Sequence, residues 1–374
     1  MTTRKEIRNP IDKQQIVKTV KRLTDIANST RGLLAVLLAS AVTLTSCNNF
    51  LFEEEGDCDP HYKVRFEYTY HMKQGDAFPY EVNSVTLYLV DDRTGKVVWQ
   101  KQESGEALRS HDYAIDVEVA PGTYSLVAWC GDGHNTTFRV NDTEVKTELQ
   151  CHLITGETYD DPACDTARHT REVNPLYHGR LDAQTFPADE GTHIFTVPLV
   201  KNTNDIHVLM QHLSGDMVDI SKFSFTITDD NAHMDWNNDL VGHESICYHP
   251  WRLAQGSAET DGTGVATDDT PATSPTRAES THSAALAEFT VARLHTAREP
   301  RLVVRNGENK VVASIPLVHY FTLLKGRHID MDDQEFLDRQ DDYSLVLFLD
   351  KNQHWVKMHI NILSWHMVIQ NTGV

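Results

Sequence analysis

The 374-residue chain is 40% hydrophobic and 24% charged, enough apolar material for two domains of ordinary size with a core each. Its formal charge of −20 is unevenly spread: residues 1–46 hold eight Lys/Arg against three Asp/Glu (+5), which leaves 26 basic against 51 acidic residues, or −25, for residues 47–374. A surface that acidic repels phosphate backbones, and no Lys/Arg cluster stands out beyond residue 46, which argues against a nucleic-acid partner. The basic stretch leads into an apolar run of 13 residues, Gly32–Leu44. As a helix this run would be about 20 Å long at ~1.5 Å per residue, too short for a bilayer core of ~30 Å. It has the length of a signal-peptide h-region behind a basic n-region that ends at Arg31 and is unusually long. A core helix would break the run with polar residues at helical spacing, and only Ser40 and Thr43 interrupt it. Residues 1–46 are therefore expected to be a signal peptide.

The run closes as Leu44-Thr45-Ser46-Cys47, which resembles the bacterial lipobox: an aliphatic residue, two small residues and a cysteine. The resemblance implies diacylglyceryl transfer to the Cys47 thiol, cleavage between Ser46 and Cys47, and acylation of the new amine. One acyl chain holds a protein marginally at ~0.8 kcal/mol per buried CH₂, whereas several anchor it stably. Residues 47–57 then read as a tether. Its Glu53-Glu54-Glu55 is similar to the surface-export signals of Bacteroidetes lipoproteins, which implies the outer membrane and its outer leaflet.

Period-two alternation dominates the chain beyond the tether. In "KVRFEYTYHM" Val64, Phe66, Tyr68 and Tyr70 share one face. "SVTLYLVDDRTGKVVWQ" reads as strand, turn at Asp91–Gly95, strand, with Val85, Leu87, Leu89, Val97 and Trp99 inward. "YAIDVEVAPGTYSLVAW" repeats the scheme around a Pro121-Gly122 turn. Residues 131–190 are less regular; strand patterning returns in "THIFTVPLV", and a first domain, 58–200, ends there. A second, 201–374, opens with "DIHVLMQHL" and "KFSFTITDD". Within it, residues 254–283 are rich in Thr, Ser, Ala, Asp, Gly and Pro and nearly free of large apolar side chains, which predicts a mobile loop. Asn306-Gly307 signals a hairpin. "DMDDQEFLDRQ" predicts one short helix, with Asp332 and Glu335 spaced as a capping box. Two long strands, "YSLVLFLD" and "WVKMHINILSWHMVIQ", close the chain. Short antiparallel strands with frequent turns give an all-β class of sandwich type.

Little in the chain suggests chemistry. No GxSxG, HExxH, P-loop or GxGxxG occurs, the 20 histidines are scattered, and no Cys/His spacing suits zinc, so neither an enzyme, a cofactor nor a metal is expected. "DDNAHMDWNND" (Asp229–Asp239) superficially resembles a calcium loop but has Met234 where an EF-hand needs glycine and Leu240 where it needs glutamate, so it reads as an acidic turn. With Cys47 lipidated, five cysteines remain. Edge and return strands of a sandwich could bring Cys58 and Cys130 together as a disulfide; Cys151 and Cys164 form a second candidate pair, which leaves Cys247 free.

Several segments together identify a resemblance. "CDPHYKVRFEYTYHMKQGDAFPYEVNSVTLYLVDDRTGKVV", "ESGEAL" and "APGTYSLVAWCG" are similar to the first domain of Bacteroidetes fimbrial anchor lipoproteins, the FimB-like family. "LVKNTNDIHVLMQHLSG", "FTITDDNAHMDWNNDL", "IPLVHYF", "QEFLDRQDDYSLVLFLD" and "WVKMHINILSW" resemble the second domain, in the same order. The resemblance implies two tandem transthyretin-like Greek-key β-sandwiches, lipid-anchored to the outer membrane at the base of a fimbrial polymer and joined to the first stalk subunit by donor-strand exchange. The candidate donor strand is Met358–Ile369, in which Met358, Ile360 and Ile362 alternate, as do Trp365, Met367 and Ile369. The other reading of these residues is that they complete the second domain's own sheet. A different class of function is a surface lipoprotein that binds glycans by stacking them on Trp236, Trp251 and Trp355.

Overall fold

The computed structural model describes residues 59–156, 167–259, 281–326, 330–352 and 354–361. The first part of the fold is built by β1 (Pro60–Glu67), β2 (Ser84–Asp91), β3 (Lys96–Ser104), β4 (Ile115–Val117) and β5 (Gly122–Gly131), with a one-turn helix α1 (Phe78–Glu81) between β1 and β2. After the short strands β6 (Phe138–Val140), β7 (Gln150–Leu153) and β8 (Ala167–His169), two long strands come next, β9 (Leu176–Phe186) and β10 (Gly191–Lys201). The strands of this half hydrogen-bond in the order β3-β2-β5-β9-β10-β1-β4. β10 changes partner along its length: Gly191–Pro198 pair in parallel with β1, and Leu199–Lys201 pair antiparallel with β9. The sheet folds over at that point, so the inward faces of β1 and β4 meet those of β2 and β5 in one core that contains Val64, Phe66, Val85, Leu87, Leu89, Ile115 and Leu126. Gly179 on β9 makes the switch possible, because a Cβ there would stand 2.6 Å from both Leu199 Cδ2 and Val197 Cγ1.

The expected alternation in β1, β2 and β4 is what the core uses. Val97 is different: it packs on the opposite face from Trp99, against the core of the second half. A β-bulge explains this, since Leu89 pairs with Trp99 but the next residue, Val90, pairs with Val97, and the extra residue Val98 reverses the alternation.

The second half contains β11 (Thr203–His212), β12 (Phe223–Asp229), β13 (His233–Asp235), β14 (Ile246–Tyr248), β15 (Arg252–Glu259), β16 (Thr281–Ala292), β17 (Arg301–Asn306), β18 (Val311–Pro316), helices α2 (Leu317–Leu323) and α3 (Asp333–Arg339), β19 (Asp342–Leu349) and β20 (Trp355–Asn361). Two five-stranded sheets, β15-β16-β11-β19-β20 and β18-β17-β12-β14-β8, enclose a common core of residues such as Val208, Phe225, Ile227, Phe289, Leu302 and Leu345. The predicted helix is present as α3; the Asp332 carboxylate caps it, accepting from the Glu335 amide at 2.7 Å. α1 and α2 were not legible as helices.

Two departures from the sequence reading have clear causes. Strands β15 and β16 run into both ends of the expected loop 254–283, pairing from Arg252↔Glu288 to Glu259↔Thr281. Backbone ladders need no large side chains, and small residues such as Ala254 and Gly256, facing Leu286 and Ala284, suffice there. Residues 260–280 lie outside the described residues. The second departure is that residues 138–169 do not stay with the first half. β8 pairs in parallel with β14, and β6 and β7 form a three-stranded sheet with β13, so Phe138, Cys151 and Leu153 join the core of the second half.

Candidate assembly ends and the joint between them

β1 carries the chain into the fold. It is paired on both sides, with β10 over all eight residues and with β4 through Tyr62, Lys63 and Val64. Val64 is fully buried, the Tyr62 ring packs tilted against Phe186 with centroids 4.8 Å apart, and the Tyr62 hydroxyl donates to the Pro187 carbonyl at 2.6 Å. Cys47, Ser46 and Cys58, upstream of this strand, lie outside the described residues.

β20 is held on one side. It pairs antiparallel with β19 from Ser344↔Asn361 to Leu349↔Trp355, and no other strand among the described residues bonds to it. Asp350 shapes the hairpin, accepting from the Asn352 and His354 amides at 2.8 Å each. Trp355 and Met358 pack part-buried against the core, while Val356 faces out, 52% exposed. Met358 and Ile360 therefore stand in the second half's own sheet. Ile362, Trp365, Met367 and Ile369 lie outside the described residues.

The segment Asp229–Asp239, read from sequence as an acidic turn, is the joint between the halves. Asn202, at the link from β10 to β11, and Asn238 exchange both side-chain hydrogen bonds, at 2.6 and 3.0 Å. Asn238 has φ +66°, a left-handed conformation that asparagine tolerates better than most residues. Arg293 clamps Asp338 with Nε–Oδ1 at 2.8 Å and Nη2–Oδ2 at 2.7 Å, and its third nitrogen donates to the Asn238 carbonyl at 2.6 Å. Trp236 lies under Lys146, whose ammonium is 4.0 Å from the ring centroid, and its carbonyl accepts from His178 Nε2 at 3.0 Å. Burial pushes the His178 imidazole down to about 3, so it is neutral at pH 7. Lys201 bridges to Asp341 across the same joint; although burial opposes its charge, Asp341 and Asp205 hold the ammonium above its ordinary value. Burial raises the Asp229 carboxyl to about 7, and its Oδ2 has no hydrogen-bond partner among the described residues. Among the described residues no group of three or more His, Cys, Asp or Glu is arranged to hold a metal ion. The sequence reading missed Asn202, Arg293 and Asp338; the only local signal was isolated polar residues next to apolar strand runs.

The sequence profile of the fimbrillin-A associated anchor proteins Mfa1 and Mfa2 matches residues 54–371. The chain belongs to this family of fimbrial anchor proteins. Among solved structures it is similar to a candidate adhesin from Bacteroides thetaiotaomicron, with a TM-score of 0.68 and 29% identity over 85% of this chain and 100% of that one. It shares its fold with a candidate polysaccharide-binding protein from the same organism (TM-score 0.65, 22% identity, 84% and 99% coverage). It also shares it with the fimbrial anchor protein Mfa2 from Porphyromonas gingivalis (TM-score 0.57, 13% identity, 83% and 100% coverage). A search of curated proteins finds no match. Membership of this anchor family implies association with other fimbrial subunits at the cell surface, and the family is one of structural proteins rather than enzymes.

For this family member the expected cysteine pairings need correction. Cys130 is a free thiol, so the Cys58–Cys130 disulfide does not form. The residue lies on β5 between Val85 and Tyr177, with its side chain in the first core, where burial pushes the thiol's pKa up. Cys151 is likewise buried and free, so it does not pair with Cys164, whereas Cys247, expected to be left over, is disulfide-bonded. Nor do the three tryptophans form a stacking platform. Trp251 precedes β15 and Trp355 begins β20, at opposite edges of one five-stranded sheet, while Trp236 is occupied by Lys146 in the joint.

Proposed function

We propose that this chain is the lipid-anchored base of a fimbrial polymer. Cleavage between Ser46 and Cys47 frees the cysteine, acyl chains on Cys47 hold it in the outer membrane, and residues 47–57 lead to β1. The stalk is held at the other end of the chain: the segment Met358–Ile369 serves as a donor strand that completes the groove of the first stalk subunit. Donor-strand exchange uses main-chain hydrogen bonds for affinity and alternate side chains for fit, and the alternating apolar residues of this segment supply the second requirement.

The observation that carries the reading is the difference in how the two ends are held. A pull transmitted through the lipid enters at β1, where hydrogen bonds on both sides resist it in shear. The partner end lies beyond β20, which has one bonded neighbour and one open edge among the described residues. The test of the anchor is the Cys47→Ala variant in cells labelled with palmitate. The account expects loss of the label and release of the protein and its fimbriae into the medium; a labelled or membrane-retained Cys47→Ala protein would overturn it.

A further inference from the structure

A groove of about 410 Å³ lies outside both assembly ends, on the outer face of the first half where the small β6-β7 sheet partly covers β2, β3 and β5. Its size falls within the ~300–1,000 Å³ of ordinary small-molecule sites. Cross-strand register builds the floor. Gln102, Thr86 and Trp129 stand side by side on three neighbouring strands, and Gln100 on β3 and Ser84 on β2 extend the same face. Phe138 and Val140 from β6 form the overhanging wall.

We propose that this groove binds a neutral saccharide. Its floor offers two primary amides and two hydroxyls, and none of these four side chains makes a hydrogen bond among the described residues. Trp129, only 3% exposed, contributes to the groove lining, and its indole N–H is buried with no acceptor among the described residues. A buried donor of this kind favours a ligand oxygen beside it. At the rim, Asn135 is fixed by its own loop: Oδ1 accepts from the Thr137 and Phe138 amides, both at 2.9 Å, which leaves the amide nitrogen available to donate. Thr137 is in turn tied to Asn174, so the rim is organised before any ligand arrives.

Other ligand classes fit less well. An anion would need an uncommitted cation, and Lys101, the one cationic residue of the lining, already pairs with Glu103 at 2.8 Å. An apolar ligand would strand the amides and hydroxyls of the floor without partners. An extended peptide would pair with the edge of β3 and leave the indole N–H unused. Polyhydroxylated rings satisfy donors and acceptors of both kinds while resting on apolar walls. This site is independent of the anchoring reading and of the three tryptophans considered from sequence.

The test applies the purified full chain to an array of neutral oligosaccharides and titrates the bound ones by NMR with indole-¹⁵N tryptophan, the Trp129 signal being assigned by its loss in Trp129→Phe. The expected result is binding that shifts the Trp129 indole signal. Gln102→Ala, on the exposed edge, and the isosteric Thr86→Val should each weaken it by about tenfold with an unchanged melting temperature. Absence of any bound neutral oligosaccharide, affinity unchanged in both variants, or a Trp129 shift produced only by an extended peptide would each overturn the proposal.

Discussion

β1 and β20 carry the chain into and out of the described fold, and they are held differently. β1 is an interior strand with partners on both sides and a fully buried Val64; β20 is an edge strand, bonded to β19 alone among the described residues, with Val356 turned outward. Interior strands open only when much of a domain unfolds, whereas edge strands detach locally at lower free-energy cost. The arrangement therefore gives one end that resists release and another that opens locally, which is the division of labour the proposed tether between a membrane and a polymer requires.

The largest expected effect comes from breaking the held end. Val64→Asp places an unpaired carboxylate in the first core and should cost more than about 4 kcal/mol in chemical denaturation, or prevent folding outright. Next is the joint that couples the two ends. Asp338→Ala leaves the Arg293 guanidinium buried without its carboxylate, and a loss of about 3–5 kcal/mol is expected. The joint also has a pH signature. Because burial raises the Asp229 carboxyl to about 7 from its ordinary 3.8, the folded state binds the proton more tightly than the unfolded chain. The associated stability is fully present below pH 3.8 and is lost as pH rises toward and through 7. His178 acts in the opposite sense, losing stability as pH falls from its ordinary value toward 3. The difference between wild type and Asp229→Asn isolates the aspartate. The variant should gain roughly 2–4 kcal/mol on wild type between pH 4 and pH 8, and a difference that stays flat would contradict the assignment.

The smallest effect sharpens the comparison from the other side. Val356→Lys on the exposed edge should change stability by less than about 0.5 kcal/mol. Native-state hydrogen exchange should find the amides of β20 opening well before those of β1 and β10.

Much of the fold was legible because burial on one face writes a period of two into the sequence. Val85-Leu87-Leu89 and Phe223-Phe225-Ile227 are read directly from that pattern, as is the Asp332 cap of α3. What escaped was structure without a period. β6, β8, β13 and β14 are three residues long, too short to show alternation, and the pairings β7–β13 and β8–β14 cross between the two halves of the chain. A single bulged residue reversed Val97, and no count of apolar residues could locate it. The cysteines show the same limit from another angle: its place on a return strand suggested Cys130 as a bridge, but the strand phase that puts it inside the core depends on register across β2 and β9. At the assembly ends, the alternation of Met358 and Ile360 marked a strand, while its partner within the chain, β19, is a matter of tertiary pairing.

The central claim, that one end is fixed and the other joins the stalk, is tested most directly by deleting residues 362–374, which leaves β20 and its pairing with β19 intact. Membrane fractions carrying the truncated chain are solubilised and the co-purifying stalk subunit is quantified against wild type. The account predicts that the truncated chain remains folded and membrane-bound but loses the stalk subunit. Undiminished recovery of that subunit with a folded, membrane-bound truncation would contradict it.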